Sequence, residues 1–70
     1  MGAGIIRRSG TVGCFYETID FHGYRGWLTD DATSIVYMIK EVRNDSIPLI
    51  KGDSVYFFLK KKIAFNVYNQ

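Results

Sequence analysis

Seventy residues, 47% hydrophobic and 16% aromatic, make one folded domain with no room for a second core. A single cysteine and a single histidine exclude an internal disulfide and a four-ligand Cys/His metal site, and a net charge of +2 permits phosphate binding without requiring it. No apolar run reaches transmembrane length, and residues 1–6 fit neither a signal peptide nor the myristoylation pattern, so the expected setting is a reduced cytoplasm, or the nucleus in a eukaryotic cell.

Residues 5–16 read as a first strand, because Val12, Cys14 and Tyr16 alternate with Thr11, Gly13 and Phe15. Gly10 and Gly13 would weaken a plain strand, so they mark a bulge or a close approach of another backbone. Residues 17–23 are polar and turn-like, with His22 read as a solvated loop residue. Residues 24–29 form a short aromatic strand. Asp30 to Ser34 form a turn, since Asp and Ser side chains bond their own backbone. Residues 34–39 are β-branched and aromatic, a third strand. Residues 40–48 are the least regular and hold room for one helical turn, with Pro48 pushing Ile47 out of the α region. Residues 54–59 and 63–68 are the last two strands, separated by the basic turn around Lys60-Lys61-Lys62. No ten-residue window sustains a 3.6-residue period. The expected architecture is all-β, a five-stranded antiparallel OB-type barrel over residues 1–70, its core spanning about residues 8–68. Closing the sheet removes the exposed edges that a chain without staples would otherwise present.

The chain resembles the cold-shock domain family. The family's first-strand pattern G-x-V-K-W-F stands here as Gly10-Thr11-Val12-Gly13-Cys14-Phe15. Its second-strand pattern K-G-[FY]-G-F-I is similar to Gly23-Tyr24-Arg25-Gly26-Trp27-Leu28. Its fourth-strand pattern L-x-x-G-x-x-V-x-F is matched without a gap by Leu49, Gly52, Val55 and Phe57, and its last-strand A-x-x-V by Ala64 and Val67. The chain departs from the family at Cys14, where the family has tryptophan, and at Gly13, where it has lysine. The third strand, Ile35 to Ile39, lacks the family's histidine, and either Val36 or Tyr37 takes the place of its aromatic.

The resemblance implies binding of single-stranded RNA or DNA by a cold-shock-like OB barrel, with roles in RNA chaperoning or in regulation of translation or transcription. Phe15, Trp27 and Tyr37 would stack on bases. In the second strand the register leaves two choices, Arg25 with Trp27 or Tyr24 with Trp27. Arg8, Arg25 and Lys60 would line the phosphate path. For Arg25 the plainer role is an ion pair with Asp30 or Asp31. Cys14 reads as a small hydrophobe rather than a reactive thiol. With one histidine, no Ser-His-Asp set and no phosphate loop, no enzymatic activity, cofactor or metal is expected, and a monomer without membrane contact is the simplest state. The alternative is a protein-interaction module, since exposed Tyr, Phe and Trp also serve as interface anchors.

Overall fold

The computed structural model describes residues 6–17 and 24–70, with the backbone alone at Glu17, Tyr24 and Arg25. Five strands follow in order: β1 (Arg8–Glu17), β2 (Tyr24–Asp30), β3 (Val36–Ile39), β4 (Ser54–Lys60) and β5 (Ile63–Asn69). A single 3-10 turn, Asn44–Ser46, occupies the irregular connection between β3 and β4. The strands close into a barrel in the order β1-β2-β3-β5-β4, an OB-like arrangement. Four seams are antiparallel. The β3–β5 seam is parallel, through Met38↔Ile63 and Ile39↔Ala64, so the barrel is mixed where antiparallel pairing throughout was expected. A parallel neighbour needs a long crossover, and the 40–53 connection together with β4 provides it.

The core consists of Val12, Leu28, Ile39, Val42, Leu49, Val55, Phe57, Ala64 and Val67. Each strand contributes its inward positions, and Val42 and Leu49 plug the barrel from the crossover. The crossover is stitched to β5 by Lys40 N–H donating to Ala64 O (2.7 Å), Val67 N–H to Glu41 O (2.9 Å) and Arg43 N–H to Val67 O (2.9 Å). Ahead of β4, Gly52 turns the chain at φ +93°, a conformation that favours glycine. The Asp53 carboxylate accepts the Ile50 N–H at 2.8 Å and ties the same turn. The Leu49–Phe57 motif is thus one turn glycine and three core side chains.

A bulge interrupts β1. Val12 pairs with Leu28, but Cys14 pairs with Trp27, so the register shifts at Gly13. A one-residue insertion reverses which face the following residues occupy. That reversal decides where the aromatic side chains of β1 end up.

Candidate nucleic-acid interface

The shared stacking face expected of Phe15, Trp27 and Tyr37 does not form. Beyond the bulge, Phe15 pairs with buried Gly26 and packs against the core. Tyr37 pairs with buried Leu28, packs on the core too, and tilts against the Phe57 ring at 6.2 Å between centroids. Trp27 alone of the three lies outside, 39% exposed. Simple alternation from Val12 would put Phe15 outside, and the bulge turns it in. On β3 the outward positions are Val36 and Met38, leaving Tyr37 inside.

Trp27 sits on an outer row that crosses all five strands. Cys14, Trp27, Met38, Ile63 and Lys60 are successive cross-strand partners. The indole lies directly over Gly13, where an added Cβ would run into its six-membered ring. The bulge glycine therefore seats the tryptophan against bare backbone, and the side chain stays 39% exposed. Half-buried Cys14 lies beside it.

Arg8 is tied to the fold by an ion pair. Its Nε donates to Asp30 Oδ2 at 2.6 Å, and the Asp30 carboxylate is buried. Oδ1 of Asp30 accepts the N–H groups of Ala32 (2.8 Å) and Thr33 (3.2 Å). Burial pushes the Asp30 carboxyl up, but the Arg8 hydrogen bond and the two backbone donors outweigh it and hold the group below its ordinary value. Gly10↔Asp30 pairing brings β1 and the end of β2 together, and the buried carboxylate takes the Arg8 guanidinium. The ion pair considered for Arg25 with Asp30 is thus made by Arg8. The side chains of Arg25 and Tyr24, the choice of register between them, and His22 lie outside the described residues.

Lys60 ends β4, exposed, opposite Ile63. Its neighbours Lys61 and Lys62 form the two-residue hairpin loop into β5 at φ 53° and 67°, both left-handed. Lys40 approaches from the end of β3. Lys40, Lys60 and Lys61 surround an apolar depression floored by Ile63 and Phe65, with a volume of about 200 Å³. None of these lysines has an ion-pair partner among the described residues.

The outer surface of β4 and β5 carries rings that sequence reasoning left unassigned. Tyr56 pairs with Tyr68 (centroids 5.5 Å) and Phe58 with Phe65 (6.0 Å). All four are half-buried. The Arg7 guanidinium lies 4.0 Å over the Tyr56 ring and donates to the Tyr68 hydroxyl at 3.3 Å, which raises its already high pKa. The Arg43 guanidinium lies 4.5 Å over Tyr68 while also bonding Asp45 at 3.0 Å. The signal was present: in Val55-Tyr56-Phe57-Phe58, alternation from core Val55 and Phe57 leaves Tyr56 and Phe58 outside. An all-apolar run conceals that alternation. Cations and aromatics thus meet mainly on β4–β5, with Trp27 at the far end of the row.

Among the described residues no group of His, Cys, Asp or Glu is arranged to hold a metal ion. No family model matches the chain, and no curated protein or solved structure is significantly similar to it.

Proposed function

We propose that this chain is a single-stranded nucleic-acid-binding module of cold-shock type, taking RNA or DNA across the outside of its barrel and acting in RNA chaperoning or in the regulation of translation or transcription. One observation carries the reading: outward rings stand beside cations. Tyr56 and Tyr68 bear arginines, and Phe65 is ringed by lysines that have no ion-pair partner among the described residues. An aromatic ring accepts any base by stacking, and a neighbouring ammonium or guanidinium neutralises the phosphate that follows. Trp27, Phe58 and Phe65 supply ring faces, while Lys40, Lys60 and Lys61 supply charge. Phe15 and Tyr37 serve the core instead, and Arg8 serves the fold through Asp30. Base preference is weak, because stacking tolerates every base. The cold-shock attribution draws on the Gly10–Phe15, Gly23–Leu28 and Leu49–Phe57 motifs.

The test is a titration of fluorescently labelled oligo-U and oligo-dT at low and moderate salt. Binding at low salt that weakens with salt is expected, and Trp27→Ala should cost roughly 5- to 150-fold, the equivalent of one stacked base. Absence of binding even at tens of micromolar protein in low salt would remove this reading. The alternative, a protein-interaction module, is favoured by one feature. Ile35, Val36 and Met38 are about half exposed on and beside β3, and aliphatic side chains suit a protein surface better than a base.

A further inference from the structure

We propose that the depression bounded by Lys40, Lys60, Lys61, Ile63 and Phe65 is a subsite for one nucleotide, the base lying on Ile63 and Phe65 and its phosphate held by the lysines. The inference rests on the nucleic-acid reading above and names the place where a strand, or its terminal nucleotide, is gripped.

Three observations converge. Two separate segments build the rim. The parallel β3–β5 seam delivers Lys40, whose N–H bonds Ala64 O at 2.7 Å, and the β4–β5 hairpin delivers Lys60 and Lys61. The floor is apolar, with Phe65 packed against Phe58 at 6.0 Å and 40°. At about 200 Å³ the space lies below the ~300–1,000 Å³ of sites for drug-sized ligands. It fits one planar ring with its phosphate rather than a folded peptide segment.

The charge stands at positions whose backbone conformation disfavours lysine. A two-residue loop with both residues left-handed is the type I′ turn, for which Asn-Gly is favoured. Here it is built from Lys61 and Lys62 at φ 53° and 67°, a conformation that L side chains adopt at some cost. Lysine at this turn contributes charge that asparagine and glycine lack. An apolar ring-sized floor under unpaired ammonium groups selects a ligand with both a flat apolar face and an anion. A nucleoside phosphate has both. Inorganic phosphate lacks the ring, and an acidic peptide lacks the plane.

The test is an NMR titration of the intact chain at low salt with uridine 5′-monophosphate, uridine, inorganic phosphate and oligo-glutamate. The monophosphate should shift the Lys40, Lys60, Ile63 and Phe65 signals saturably, and the other three probes should bind roughly tenfold more weakly or less. The triple variant Lys40→Gln/Lys60→Gln/Lys61→Gln should lose the monophosphate while keeping the wild-type spectrum elsewhere. Phe65→Leu should weaken the monophosphate but not inorganic phosphate. Shifts that fall outside the pocket, or that phosphate or oligo-glutamate reproduces, overturn the proposal. Oligo-U supplies the separating arm. If it binds the wild type and the triple variant equally while the monophosphate does not bind, the subsite fails and the strand reading stands. If the monophosphate binds here but oligo-U binds no tighter than it does, the strand reading fails and a free-nucleotide site remains.

Discussion

Gly13 and Trp27 define each other's environment. An added Cβ at Gly13 meets the far ring of the indole, which is movable, so Gly13→Ala is tolerated by displacing that ring. Gly13 has no left-handed φ, so alanine meets no backbone obstacle there. We expect a loss of about 1 kcal/mol in stability, a shift in tryptophan emission, and weaker oligo-U binding. Unchanged emission would mean that the indole does not rest on the glycine. The need for a special residue at Gly13 was legible, since glycine in an alternating run marks a bulge. What rests on it was not, because Trp27 is fourteen positions away and meets it only through β1–β2 register. The same limit hid the partner of Arg8. Its partner Asp30 is buried, and its carboxyl is held below the ordinary value of 3.8. A lowered folded-state pKa stabilises the charged form, so this contribution is present above about pH 4 and is lost as the pH falls through the folded value. Asp30→Asn should cost about 2 kcal/mol near neutrality. It should also flatten the decline in melting temperature on acidification from about pH 4 to pH 2. A variant that declines as steeply as the wild type would show that other carboxylates govern the acid limb.

At the scale of elements, the five strands were legible from alternation and from their turn residues, and their observed bounds lie within three residues of the expected ones, four of them coinciding. The faces were harder. One bulge at Gly13 sends Phe15 inward, and the all-apolar run in β4 disguises which rings point out. The β4–β5 hairpin shows the element-scale conflict most clearly, because its loop geometry calls for residues that its sequence does not supply. Replacing Lys61-Lys62 with Asn-Gly keeps the type I′ turn and relieves two left-handed lysines. The double variant should gain about 1 kcal/mol in denaturant unfolding. It should lose affinity for oligo-U over the same comparison. A turn replacement that stabilises without weakening binding would leave the lysines with a role in solubility or edge protection alone.

At the scale of the whole molecule, closure into a barrel followed from five short strands without staples. The parallel β3–β5 seam that completes it had no local signature, since Met38 and Ile63 meet only once the crossover is placed. That seam also arranges the charge. The net +2 is small, but the cations divide by type. Among the described residues the arginines are committed, Arg8 to Asp30, Arg43 to Asp45 and Tyr68, and Arg7 to Tyr56 and Tyr68. Lys40, Lys60 and Lys61 converge on one end of the outer row with no ion-pair partner. Three such cations meeting a single strand release about 0.7 counterion each, so log K against log salt should fall with a slope near −2. Lys60→Gln should flatten the slope by about 0.7 and leave the melting temperature nearly unchanged, since the side chain makes no ion pair among the described residues. Arg8→Gln should do the reverse, lowering the melting temperature by releasing Asp30 while the slope holds. A slope that responds to Arg8 and not to Lys60 would move the phosphate path to the β1 side of the barrel. A slope near zero with retained binding would point to the aliphatic surface of β3 and to a protein partner.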